Sequence, residues 1–323
     1  MVDLFPMLLD ATKSMSTQMA QWFASYSPGM PYTVVSDYCI NDVGKGSDVF
    51  SFVIIANHDT TENICEYIAA TAPRDLKSTN KVPLGLVQYL TLPIPVTFSV
   101  SFVLKRESAL LRNYATVDNM VDFVPDLAEL VRAIQRQSRL DTPYFDQVLK
   151  RVELFGHDLA RKQLNAKLAR QVHLAAAFAA IVFQRVYGAT RCGHLRWISD
   201  RDALVERYDT LVYDLAYIYF LLMESGKPEN VRDDGVGDLS HVPTFRFELP
   251  EKTGVHRFDE LVRLPDYLAG TLADVNLATL TYSRDKFAEV LAKVFVDSPN
   301  NWIVQVDSTA VGVVARSAYL RGP

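Results

Sequence analysis

Leu8, Met15, Met19, Trp22 and Phe23 recur at helical spacing, so the first segment predicts an amphipathic helix that Ser27-Pro28-Gly29 breaks. Its polar face carries Asp10, Ser14 and Gln18 rather than a lysine stripe, which fits packing on the body better than lying on a membrane surface. A β-branched run, Tyr32-Thr33-Val34-Val35-Ser36-Asp37, then predicts a strand that ends in an acid. After the loop Asn41–Gly46 comes Val49-Phe50-Ser51-Phe52-Val53-Ile54-Ile55-Ala56, and the two runs predict an antiparallel pair. Gly44-Lys45-Gly46 has neither the upstream glycine nor the following Ser/Thr of a P-loop. Asp59-Thr60-Thr61-Glu62 has the form of a capping box, predicting a helix to about Ala70 that Pro73 ends. Thr97 to Leu104 alternates and predicts a third strand.

From about Glu107 to Val186 helix formers dominate, with breaks expected near Pro125 and Asp141-Thr142-Pro143. The final helix of this stretch is expected to carry Arg161, Lys162, Lys167 and Arg170 on a solvated face. Strand character returns at His194–Asp200, again ending in an acid, and a helix is expected over Leu204–Met223. Glu229–Ser240 reads as a loop, and Thr244–Leu249 as a strand. Leu264-Pro265-Asp266 reads as a helix start, because proline is tolerated at the first helical position. The helix expected to follow, Tyr267–Leu280, has Ala269, Gly270 and Ala273 for close packing, and Trp302–Val306 predicts a last strand. The order is that of an α/β protein: a mixed central sheet flanked by helices, with a large helical insertion. Residues 1–30 read as the N-terminal amphipathic helix, and 31–323 as a single domain with its insertion at about 107–188.

Composition narrows the function classes only a little. The 323 residues are 49% hydrophobic and 22% charged, which fits a globular chain with a real core. A net charge of −5 argues against a general nucleic-acid coat, so contact with nucleic acid would rest on a local patch or on metal ions. Cys39, Cys65 and Cys192 show no CxxC spacing, and the histidines show no HExxH, which argues against zinc and against a disulfide framework. Asp3 and Asp10 interrupt any secretory signal, so a cytoplasmic location is the expectation. The apolar run Leu174–Val182, flanked by Arg170 and Arg185, is too short to span a bilayer, so no membrane partner is expected.

Candidate chemistry lies with the acids that end strands or begin helices. Strand ends and helix starts meet at one edge of a central sheet, which would bring Asp37, Asp200 and Asp266 together. Carboxylates are ligands for hard cations, so Mg²⁺ or Mn²⁺ is the expected cofactor, and two such ions promote phosphodiester hydrolysis. Asp202 is a candidate fourth ligand, with capping of the next helix as its simpler role. Glu62 is a candidate from the first helix, with the capping box as its simpler role. Asp37 and Asp200 also suit ordinary turns, and Asp266 would be favoured by a helix dipole without any metal.

These landmarks resemble the bacterial RNase H-like proteins grouped as domain of unknown function three thousand eight hundred. That family opens on a strand leading into Asp-Glu-Ser-Gly, and Val35-Ser36-Asp37-Tyr38 stands at this place. Asp75-Leu76-Lys77-Ser78 corresponds to its Lys or His after the first helix, and Trp197-Ile198-Ser199-Asp200 to its acid-ended middle strand. Val262-Arg263-Leu264-Pro265-Asp266-Tyr267-Leu268-Ala269-Gly270 is similar to its closing Leu-Gln-Leu-Ala-Asp-Leu-Ile-Ala-Gly. The chain differs at Tyr38, where the family has glutamate, and at Pro265, where it has alanine. The resemblance implies an RNase H-like fold and a metal-dependent nuclease acting on RNA or DNA. Asp37, Asp200 and Asp266 would be its metal ligands and Lys77 a phosphate contact. The alternative it leaves open is an inactive scaffold that binds a protein partner through the helical insertion or the N-terminal helix.

Overall fold

In the computed structural model, residues 4–92, 95–105, 114–137, 142–161, 165–227, 239, 241–250, 258–309 and 312–322 are described. The strands are β1 (Tyr32–Cys39), β2 (Ser47–Ala56), β3 (Thr97–Lys105), β4 (His194–Ser199), β5 (Thr244–Glu248), β6 (Asn301–Thr309) and β7 (Gly312–Ala318). They form one sheet in the order β5-β4-β1-β2-β3-β6-β7. β1, β2 and β3 pair antiparallel, β1-β4, β4-β5 and β3-β6 are parallel, and β6-β7 is antiparallel. β2 and β3 are buried along nearly their whole length, which is why their apolar runs are almost unbroken.

Alternation along the strands divides the core in two. Val34, Phe50, Phe52, Phe102 and Val304 face one side; Val35, Val53, Val103 and Ile303 face the other. The first side is covered by α1 (Leu4–Ala11), α2 (Lys13–Ala24), α5 (Val117–Gln137), α6 (Thr142–Leu159), α7 (Ala166–Thr190) and α9 (Leu211–Ser225). The second is covered by α3 (Thr61–Thr71), α4 (Leu84–Thr91), α10 (Asp259–Asp274) and α11 (Asp285–Val290). The short α8 (Ala203–Glu206) sits between β4 and α9. α7 is long and apolar enough to cross a membrane by length and composition, longer than the run Leu174–Val182 implies, but it is largely buried at the centre of the fold. Phe178 stacks on Phe102 of β3 at 4.3 Å between ring centroids. Among the described residues no membrane span is therefore indicated.

Several local expectations need correction. The N-terminal helix is two helices, because the Thr12 hydroxyl turns back on the Leu8 carbonyl and the chain restarts at Lys13. Its apolar face, including Leu8, Met15, Met19 and Trp22, is already spent on the core. α3 is capped by Thr60, whose side chain accepts from the Asn63 N–H, while Asp59 accepts from the Asn63 side chain. α5 runs through Pro125, since a proline forfeits one helical N–H and the buried stripe Met120, Phe123, Leu127 and Val131 outweighs that loss. α7 starts only at Ala166, so Arg161 precedes it and pairs with Asp158; Lys162 lies outside the described residues. The helix expected over Leu204–Met223 is interrupted at Tyr208, Asp209 and Thr210, all with positive φ. Glu229–Ser240 lies outside the described residues apart from Leu239.

The most informative correction concerns α10. It begins at Asp259, so Pro265 and Asp266 lie in its second turn rather than its first, and it ends at Asp274 instead of continuing to Leu280. α4, α11 and β7 have no counterpart in the sequence reading. α4 is mostly apolar with Gly85 inside it, and a Cβ there would meet Thr71 at 2.7 Å, so that glycine marks close helix packing rather than a break.

Candidate functional site

The parallel register of β1 and β4 pairs Ser36 with Ser199, and Asp200 continues it by donating its N–H to the Ser36 carbonyl at 2.9 Å. The next step of that ladder sets Asp37 and Asp200 side by side at the carboxyl ends of two adjacent strands. α10 lies across β1 and β2 and delivers Asp266 to the same place. Three hydrogen bonds stitch α10 to the segment after α3. Arg263 Nη1 donates to the Ala72 carbonyl at 3.0 Å, Tyr267 Oη to the Arg74 carbonyl at 3.0 Å, and the Leu76 N–H to Asp266 Oδ2 at 2.9 Å. Gly270 lets this approach happen, since a Cβ there would stand 3.1 Å from Leu76 Cδ2.

The result is a cavity of about 420 Å³ lined by Asp37, Asp200, Asp202 and Asp266, and also by Asp42, Asp75 and Asp259. Its basic lining residues are Lys45, Lys77, Arg201 and Arg263. Two of these cations pair with acids outside the cavity lining and a third with Asp259 at its wall. Lys45 pairs with Asp274 at 3.0 Å, Arg201 with Glu206 at 2.6 Å, and Arg263 with Asp259 at 2.9 Å. Lys77 is exposed at the rim, on the one-turn 3₁₀ helix Leu76–Ser78, and forms no ion pair among the described residues.

Each central carboxylate keeps one oxygen on a backbone N–H. Asp37 Oδ1 accepts from Tyr38 at 2.7 Å, Asp200 Oδ1 from Arg201 at 2.8 Å, and Asp202 Oδ1 from Leu204 at 2.8 Å. Asp202 thus does cap α8 while also lining the cavity. Among the described residues, no hydrogen bond engages the second oxygen of Asp37, Asp200, Asp202 or Asp266. Burial raises the Asp37 carboxyl well above the ordinary range, and the charges of Asp266 and Asp200 raise it further. Asp266 is pushed up to about 6, by burial first and by Asp75 and Asp200 beside it, against the opposing Leu76 N–H and Lys77. Burial also raises Asp200, with Asp259, Asp75 and Asp202 adding to it. The cavity thus holds more negative charge than its own cations offset. Among the described residues, however, no three or more His, Cys, Asp or Glu side chains are drawn together as a chelating group.

All five candidates, Asp37, Asp200, Asp202, Asp266 and Lys77, line this one cavity; Glu62 does not and is exposed on α3. The helix-dipole role for Asp266 fails, because it sits past the first turn of α10. Asp75 and Asp259 were not singled out in the sequence, although Asp75 stands inside the motif that carries Lys77. Tyr38 points to the opposite face of β1 from Asp37, where its hydroxyl meets Ser36 Oγ at 2.9 Å and Ser199 Oγ at 3.0 Å. A glutamate there would also point away from Asp37, so tyrosine leaves no gap in the acidic cluster. No protein-family model, curated protein or solved structure matches the chain.

Proposed function

We propose that the chain is an RNase H-like, metal-dependent phosphodiester hydrolase acting on RNA or DNA. The observation that carries this is the convergence of Asp37, Asp200 and Asp266, each with a raised pKa, on one open cavity at the carboxyl ends of β1 and β4. Like charges that raise one another's pKa are a costly arrangement that marks functional sites, and a divalent cation would relieve it. The stretch β3-β2-β1-β4-β5, antiparallel over its first three strands and parallel after, gives the mixed central sheet flanked by helices that the resemblance implies.

The donor set fits Mg²⁺ or Mn²⁺, being all aspartate oxygen, one oxygen of each side chain left without a protein partner. Asp37, Asp200 and Asp266 would hold the ion, with Asp202 beside them. Bound there, it would supply Lewis acidity to a phosphoryl oxygen and lower the pKa of water. Since the side chains are not gathered into a chelating group, binding requires them to turn inward. Lys77 at the rim would meet a phosphate of the substrate.

The absence of a chelating group among the described residues favours the second reading, an inactive scaffold that binds a protein. Calorimetry with Mg²⁺ and Mn²⁺ on the wild type, Asp37→Asn and Asp266→Asn separates the two. Binding by the wild type and its loss in both variants is the expected result, to be followed by cleavage assays on single- and double-stranded RNA and DNA. No binding to the folded wild type would overturn the hydrolase reading.

A further inference from the structure

Lys286, the second residue of α11, is 4% exposed, yet among the described residues its ammonium has no carboxylate within 4.0 Å. Its Nζ donates instead to two main-chain carbonyls, Leu76 at 2.6 Å and Thr79 at 2.8 Å. These carbonyls belong to the first residue of the one-turn helix whose first N–H holds Asp266 and to Thr79, which caps its end. Burying a charge on neutral acceptors is expensive, and an apolar side chain would fill the same space without that cost. The site must therefore gain something from the charge or from its three donors.

A turn of three residues has little stability of its own, and its internal bonds are Ser78 N–H to the Asp75 carbonyl and Thr79 N–H and Oγ1 to the Leu76 carbonyl. Lys286 ties its two ends together from behind. Leu76 is then fixed three ways: by Lys286 at its carbonyl, by Gly270 against its side chain, and by Asp266 at its N–H. Asp75 and Lys77, the residues on either side of Leu76, face the cavity as a consequence.

We infer that Lys286 is a positioning residue of the acidic site, clamping the Leu76–Ser78 turn so that Leu76 orients Asp266 and the turn presents Asp75 and Lys77. Lys286 touches no substrate and no metal ligand; it works through the turn. Its effect on ion affinity rests on the hydrolase reading, while its hold on the turn does not. Losing such a partner behind a metal ligand typically weakens metal binding by about 10- to 100-fold.

The test compares the wild type with Lys286→Met, Lys286→Arg and, as a control on the exposed Lys293–Glu289 pair, Lys293→Met. Amide exchange of Leu76 followed by NMR reads the clamp, and Mn²⁺ calorimetry reads the site. Faster exchange at Leu76 and Mn²⁺ affinity lowered at least about 10-fold in Lys286→Met are expected. Lys286→Arg, which keeps charge and donors, should recover most of both, and Lys293→Met should match the wild type. If Lys286→Met does not fold, Lys286→Gln, too short to reach both carbonyls, carries the same comparison. Unchanged Leu76 exchange in a folded variant would overturn the inference, as would fast exchange with unaltered Mn²⁺ affinity. If the wild type binds no Mn²⁺, the hydrolase reading falls. The clamp is then judged by Leu76 exchange and by the Leu76 amide shift that reports its bond to Asp266.

Discussion

The two faces of the sheet treat buried acids in opposite ways. On the insertion face, Asp214 of α9 accepts from Arg151 Nη1 at 3.0 Å and from Tyr144 Oη at 3.0 Å, so both oxygens are used and a cation stands beside it. Asp158 at the end of α6 is similarly held by Arg207 and Tyr208 and lies below the usual carboxylate range. On the other face, Asp37 has acids for neighbours and lies far above that range. Asp214 is fully buried and Asp37 half-buried at the cavity wall, and desolvation raises both; what differs most is the company. The first arrangement fastens helices to each other, and the second leaves acids facing one another around an open cavity.

Separating the two faces experimentally should begin with the largest effect. Arg151→Ala strands Asp214 as a buried acid without its cation, and should cost about 3 kcal/mol in urea unfolding at neutral pH. Because burial already raises Asp214 and Arg151 opposes it, the loss should shrink as the pH is lowered and Asp214 protonates. A loss equal at all pH values would mean that the contact is packing alone.

The site face should respond with the opposite sign. Asp37→Asn removes one of several mutually repelling charges, and we expect it to stabilise the metal-free protein by about 1–2 kcal/mol in the presence of chelator. Destabilisation by a similar amount would instead mark Asp37 as an ordinary turn residue.

Asp266 sharpens the contrast through pH. Its folded pKa, about 6, lies above the ordinary carboxylate value, so the stability that its protonated form contributes is present at low pH and lost as pH rises through about 6. Asp266→Asn should therefore match the wild type near pH 4 and become the more stable by about 1–2 kcal/mol at pH 7, as read from paired denaturant curves. A constant difference across that range would break the argument.

The smallest effect belongs to Asp202, which serves both roles. Asparagine is an equally good cap, so Asp202→Asn should change stability by less than about 0.5 kcal/mol while still weakening any bound cation. Asp202→Ala should cost about 1 kcal/mol through the lost cap.

How much of this was legible in the sequence depends on whether the signal was local. β1 to β5 could be placed within a residue or two at most ends, because β-branched and aromatic runs bounded by turns declare themselves. The acids at the ends of β1 and β4 were readable for the same reason. The start of α10 was not: Pro265 looks like a first-turn proline, and only the tertiary packing of Leu261 and Val262 carries the helix back to Asp259. α4 was hidden because Gly85 reads as a breaker until Thr71 is seen pressed against it. Lys286 was invisible, since nothing in a run such as Arg284-Asp285-Lys286-Phe287 says which lysine will be buried. Partners far apart along the chain leave no local mark.

That distance has a consequence for how the protein is made. Asp37 and Asp200 come from strands separated by the helices α5 to α7, Asp266 follows later, and Lys286 closes the turn behind it close to the end. During synthesis, the cavity cannot be complete until the chain has been made through α11, because contacts of such separation form late. A fragment that stops before α10 would hold Asp37 and Asp200 without Asp266, so the three carboxylates could not meet.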